Sequence, residues 1–371
     1  MNICQSSDDK KAITLFENIE KNVKKRGFYM ENTKDTVCRG MDLRRSVVMG
    51  SGKFGGVVPD RDCWSFLDLY YELGGRVIDT GHCYGMFFPG GGRQPLAERA
   101  IGKYLHARRD KNFLLCTKGG YPDLDSGAPR LNRRDLDEDL EASLRELQTD
   151  HIDIYYLHRD DPSLPVEEIV PLWDTFVRAG KVLAVGVSNW SPARVRAANA
   201  FAEAHGLEPI RFVQNLYSLG SYCAWPMDDP TMRVTGDADL KAFAQMPNVQ
   251  FVAYSAQAYG FFSKVDARDP LAAERLIAQR YPYFDVSSSL ERARRVQQLA
   301  DEHRVTPAVV VLSFVLSDPL APAAIIGCTK PWQIREAMEA RALRLNDMEL
   351  AYLRAPRPAR PLNAQPAPGE R

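Results

Sequence analysis

The sequence predicts an α/β fold built as a closed parallel (β/α)8 TIM barrel with long loops at the C-terminal mouth. Two observations predict it. Eight short apolar, β-branched runs recur between residues 46 and 353, and stretches of helical period separate most of them. Polar residues close most of those runs, at the end where a parallel barrel carries its site. The alternation alone leaves open a doubly wound open sheet.

Taken in order, the runs are residues 47–49, 77–78, 113–116, 152–157, 182–187, 212–213, 251–253 and 324–326. The clearest helical stripe places Leu136, Leu140, Leu144 and Leu147 at spacings of four and three; Val166, Ile169, Val170, Trp173 and Val177 make another. Long loops are expected at residues 216–236 and 255–288, a length that usually carries function. Residues 1–45 hold 6 Lys and 4 Arg, whereas the rest holds 8 Lys and 30 Arg. That shift places 1–45 outside the main fold as a loose arm, although Ile13, Phe16, Ile19 and Val23 share one helical face. Residues 354–371 are too rich in Pro to pack and read as a disordered tail.

Composition bounds the function. With 371 residues, 45% of them hydrophobic, the chain can bury a sizeable core. The 48 basic and 48 acidic residues cancel, so no basic field exists to gather nucleic acid. No window approaches the ~18 apolar residues of a membrane span, and no signal-peptide core opens the chain. Seven scattered Cys without a CxxC pair fit a reducing, cytoplasmic setting and argue against disulfides or a zinc site. The six His include no HxH pair ending a strand, so a metal-dependent hydrolase is disfavoured and no metal is expected.

One motif misleads. Gly50, Gly52 and Gly55 spell GxGxxG, and Asp79 ends the next strand, which imitates a dinucleotide fingerprint. In that fingerprint the helix begins within the glycines, so that its free N–H groups meet the pyrophosphate. Here residues 56–59 (GVVP) intervene before Asp60 can open a helix, so the glycines read as a turn. No Tyr stands four residues before a Lys, as a short-chain dehydrogenase would require.

The strand ends carry more. Asp79 ends the second strand, with Tyr84 five residues beyond it. Lys118 ends the third, 39 residues after Asp79, and His158 the fourth, 40 residues after Lys118. Ser188 and Asn189 end the fifth, Gln214 the sixth and Tyr254 the seventh. Singly, each has an ordinary structural role; four titratable groups at one mouth do not. A carbonyl that accepts hydride builds negative charge on oxygen and needs a nearby proton donor. A Tyr, with pKa ~10, becomes a better donor beside an ammonium, and a carboxylate can orient that ammonium. His158 can hydrogen-bond the substrate oxygen or assist proton transfer.

On these residues the chain resembles the aldo-keto reductase family. The likeness runs through GGRVIDTG (74–81) with Tyr84, through Gly180-Lys181 to GVSNW (186–190), and through IGCTK (326–330) with Gln333 and Glu336. It implies a catalytic tetrad of Asp79, Tyr84, Lys118 and His158, with Tyr84 as general acid in reduction and general base in oxidation. It further implies a nicotinamide cofactor, with NADP(H) favoured and NAD(H) the alternative. Ser188, Asn189 and Gln214 would hold its carboxamide and Tyr254 would stack on its ring. Ser255, Gly327, Thr329, Lys330, Gln333 and Glu336 would line the rest, with Lys330 the expected partner of a 2′-phosphate.

Departures from the family pattern leave the hydride chemistry intact and bear on recognition of the adenosine end. Glu98 lies fourteen residues after Tyr84, beyond the insertion 86–94, where the family has a Glu only a few residues on. Gly81 replaces a common Ala, Leu183 a basic residue, Ala337 an Asn expected at adenine, and Gly327 a basic residue of one branch. Arg159, Asp160 and Asp161 follow His158 directly, and Asp228 and Asp229 sit in the long loop after strand six. Such polar crowding suits a sugar-like, hydroxylated carbonyl or alcohol; Phe87, Phe88, Trp190 and Trp225 offer an apolar wall instead. The alternative function is a nicotinamide-binding regulatory subunit with little turnover.

Overall fold

The computed structural model describes residues 41–88, 92–226, 229 and 231–355. Most of both terminal segments, and Asp228, therefore lie outside the described residues.

Eight parallel strands close in chain order: β1 (Val47–Gly50), β2 (Val77–Asp79), β3 (Leu114–Gly119), β4 (Ile152–Leu157), β5 (Val182–Ser188), β6 (Ile210–Leu216), β7 (Gln250–Tyr254) and β8 (Ala323–Ile326). The last pairs back onto the first, Val47 with Ala324 and Met49 with Ile326. Closure rules out the open sheet. Each apolar run of the sequence falls on one strand.

A strand's side chains alternate faces, so each strand serves two cores. Val48, Val77, Leu114, Cys116, Ile154, Tyr156, Phe212 and Val252 point inward and fill the barrel. Their neighbours, such as Met49, Ile78, Leu115 and Tyr155, point outward onto the helices. That is why β3, β4 and β5 are buried along their whole length.

The shell contains α1 (Asp60–Glu72), α2 (Leu96–Ala107), α3 (Arg133–Leu147), α4 (Val166–Arg178), α5 (Pro192–His205), α6 (Asp237–Ala244), α7 (Pro270–Arg280), α8 (Val286–His303), α9 (Pro307–Ser317), α10 (Pro331–Glu339) and α11 (Asp347–Arg354). The third shows how sequence sets an element. The Asn132 side chain accepts from the Asp135 N–H to start it, and Gln148 in the left-handed region stops it. Between them the predicted leucine stripe is buried, each leucine contributing about 1.5–3 kcal/mol relative to exposure. Where α2 crosses α3, Gly102 is required: a Cβ there would lie 2.0 Å from the Glu146 carbonyl oxygen.

Two expectations change. Met41 and Leu43, assigned to the arm, are buried and join the cluster inside the barrel's lower end. The Gln250 side chain holds them, accepting from the Leu43 N–H and donating to the Met41 carbonyl, each at 2.8 Å. Two apolar residues carry no period, so composition hid them. The 255–288 loop also contains α7, whose exposed Leu271 weakens its amphipathic signal. Among the described residues, no helix is long and apolar enough to cross a membrane.

Candidate active site

The register that builds the barrel also lifts the polar residues to one rim. Asp79 is the last residue of β2, Lys118 the penultimate residue of β3, and His158 follows β4 directly. Lys118 Nζ donates to Asp79 Oδ1 at 2.5 Å and to the Thr80 carbonyl at 2.6 Å. The second Asp79 oxygen accepts from Gln214 Nε2 at 2.8 Å. Lys118 Nζ lies 4.7 Å from the centre of the Tyr84 ring, which meets the His158 ring edge-on at 5.7 Å. The tetrad residues are gathered.

The protonation states follow from burial and charge together. Burial opposes the Lys118 ammonium, but Asp79 and Tyr84 outweigh it and hold its pKa above the usual lysine value. Burial pushes the Tyr84 phenol up; Lys118 opposes this without reversing it. The ammonium lowers the Tyr84 phenol as expected, but burial outweighs it, and at neutral pH Tyr84 keeps its proton. His158 is driven well below the ordinary imidazole value by burial, then by Arg159 and Lys118, so it stays neutral.

Tyr84, His158 and Asp79 open on a cavity of about 1200 Å³. Ser188, Gln214, Tyr254, Ser255, Gly327, Thr329, Gln333 and Glu336 line it as well. Lys118 instead borders a second cavity of about 230 Å³, behind the first. Asn189 and Lys330 border neither. The Asn189 amide is already engaged: Nδ2 donates to Ser188 Oγ and the His158 carbonyl, and Oδ1 accepts from Tyr254 Oη at 2.7 Å. Its backbone, at φ 66°, folds the side chain back toward those partners. Gln333 Oε1 accepts from the Thr329 and Lys330 N–H groups and so caps α10.

Sequence reasoning missed several lining residues. Lys53 and Lys264 face the large cavity, as do Tyr121 and Trp332, beside Tyr259 of the expected long loop after β7. Of the four expected wall aromatics, Phe87 and Phe88 line it, Trp190 is buried against Trp173, and Trp225 lies on the surface. Arg159 and Asp229 line it too, paired at 3.0 Å, with Arg159 also donating to Thr231 Oγ1 and the His158 carbonyl. Asp160 turns away to Arg194.

A model of the aldo/keto reductase family matches residues 46–357. The chain belongs to the aldo/keto reductase family. A probable aldo-keto reductase 1 of Glycine max is 26% identical, over 81% of this chain and 80% of its own. Protein tas of Escherichia coli is 25% identical, over 83% of this chain and 92% of its own. A putative aryl-alcohol dehydrogenase, AAD14, of Saccharomyces cerevisiae is 24% identical, over 81% and 78%. The protein is accordingly an oxidoreductase, of a family that generally uses a nicotinamide cofactor. Within this aldo/keto reductase the displaced Glu98 borders neither cavity. It accepts from Thr117 Oγ1 at 2.6 Å and approaches His82 Nδ1 at 3.3 Å. Burial opposes charge on His82, but Glu98 and Asp139 outweigh it and raise its pKa.

Proposed function

We propose that this protein transfers hydride between NADP(H) and a carbonyl or alcohol carbon, with Tyr84 exchanging the proton at the substrate oxygen. The observation that carries the reading is the buried Asp79–Lys118 pair beneath Tyr84, beside a neutral His158 on the same cavity wall. When bound, the nicotinamide supplies or accepts the hydride. Tyr84 donates its proton in reduction, and the ammonium steadies the phenolate left behind. Neutral His158 donates one hydrogen bond to the substrate oxygen and orients it.

The cavity fits such a cofactor. Its volume of about 1200 Å³ exceeds the ~300–1,000 Å³ usual for a single small ligand. At Gly327 nothing stands within 4 Å of where a Cβ would be, leaving a cradle beside Thr329, Gln333 and Glu336. Lys53 and Lys264 would meet phosphate charge from inside the cavity, and Lys330 only from outside its lining. NADPH is expected to bind about 10–30-fold more tightly than NADH. Titration of both cofactors on wild type, Lys264→Ala and Lys330→Ala checks this; equal affinities in wild type would remove the 2′-phosphate site.

The proposed substrate is a hydroxylated aldehyde, ketone or alcohol of sugar or cyclitol type. The paired Arg159 and Asp229 line the cavity and present donors and acceptors together, which a hydroxylated ligand can hydrogen-bond and an apolar one cannot. A second reading, an aryl aldehyde or alcohol, is favoured by Phe87 stacking edge-on against Tyr121 at 5.4 Å and by the names of the yeast-type relatives. Comparing kcat/KM for aldoses, keto-sugars and inositols with aromatic aldehydes decides between them. About a hundredfold advantage for the aromatic set, roughly 3 kcal/mol, would overturn the sugar-like reading and leave hydride transfer intact. A regulatory nicotinamide-binding subunit would bind cofactor and turn over none of the panel.

A further inference from the structure

A neutral imidazole has one nitrogen that donates and one that accepts, and only one of its two forms helps a carbonyl. The nitrogen facing the substrate must carry the proton. His158 Nδ1 lies 3.5 Å from Cys83 Sγ, and no other side chain meets either group in a hydrogen bond among the described residues. The ring borders the large cavity, and Nε2 makes no hydrogen bond among the described residues, so it is the nitrogen left for a ligand.

We propose that Cys83 is a positioning residue that sets the tautomer of His158: its thiol donates to Nδ1, so that Nε2 carries the proton offered to the substrate oxygen. The inference rests on the hydride-transfer reading for its consequence, though not for its geometry. The chemistry of the pair supports the direction. Burial pushes the Cys83 thiol up to about 12, so it holds its proton. Sulfur is a weak acceptor and unprotonated imidazole nitrogen a good one, so S–H to Nδ1 is the better of the two arrangements. Backbone hydrogen bonds hold His158 in place. The N–H of His158 is bonded to the Gly119 carbonyl at 2.9 Å, and its own carbonyl accepts from Asn189 and Arg159. Cys83 also sits immediately before Tyr84, so one short turn brings the proton donor and the group that orients its partner to the same point.

The experiment uses the full chain with ¹⁵N-labelled histidine, the His158 signals being assigned by loss in His158→Gln. The expected wild-type spectrum has Nε2 at the protonated position and Nδ1 at the unprotonated one. Cys83→Ser keeps a donor and is expected to retain that tautomer and kcat within about threefold; Cys83→Ala removes it, mixes the two forms and lowers kcat about tenfold. KM for the cofactor should stay put in both, which separates positioning from general loss of packing. A wild-type Nδ1–H signal, or a Cys83→Ala spectrum and kcat like wild type, overturns the proposal. Should Cys83→Ala not fold, the wild-type and Cys83→Ser spectra decide it alone. If the tautomer shifts as expected but no carbonyl is ever reduced, hydride transfer fails and the Cys83–His158 assignment stands.

Discussion

Replacing Tyr84 with Phe is expected to lower kcat/KM for carbonyl reduction by about 10²–10⁴-fold, the usual contribution of a positioned proton donor. Only a hydroxyl is lost, and the ring keeps its contacts with Lys118 and His158. Cofactor affinity should therefore hardly change, and fluorescence titration beside steady-state kinetics would show the split. Because the phenol pKa lies above its ordinary value of 10.0, reduction should be flat through neutral pH. Alcohol oxidation, which needs the deprotonated form, should instead rise as pH increases toward the alkaline range. Near-normal turnover in the Phe variant would end the assignment.

Lys118→Met should fail twice. Turnover should collapse, because the phenolate loses its countercharge. Stability should also fall by about 3–5 kcal/mol, since Asp79 is left buried and without its cation. Gln214 still donates to one Asp79 oxygen, which offsets part of that cost. The double variant Asp79→Asn with Lys118→Met removes both charges, so it should recover most of the melting temperature and none of the activity. Thermal denaturation and kinetics on wild type, each single variant and the double variant test this. Recovery of activity along with stability would show that the pair is structural.

The fold was legible because a parallel barrel repeats one unit, and each strand needed only a short apolar run to be seen. The convergence of Asp79, Lys118 and His158 on one rim was legible for a related reason: they close apolar runs at the same relative point. What stayed hidden depends on contacts between distant residues. Cys83 meets His158 across 75 positions, and no local pattern announces it. The Asn189 amide was expected to face a ligand, yet its partners come from Ser188, the His158 carbonyl and Tyr254. Lys53 and Lys264 reach the cavity because the loops after β1 and β7, far apart in sequence, converge there. The net rise of the Tyr84 phenol was hidden because sequence reveals which charges are adjacent, and burial is a property of the folded whole.

The glutamine beneath the barrel has a consequence for where the chain can be cut. Gln250 imitates a strand neighbour, offering Leu43 an acceptor and Met41 a donor with a single primary amide. A ladder of backbone bonds would tolerate almost any residue at that seam; one side chain does not. The anchor of this upstream segment is thus encoded more than two hundred positions away, at the start of β7. Shortening the chain to begin at the family likeness would discard the stopper and retain its socket, leaving the amide of Gln250 and the apolar floor around it open to water.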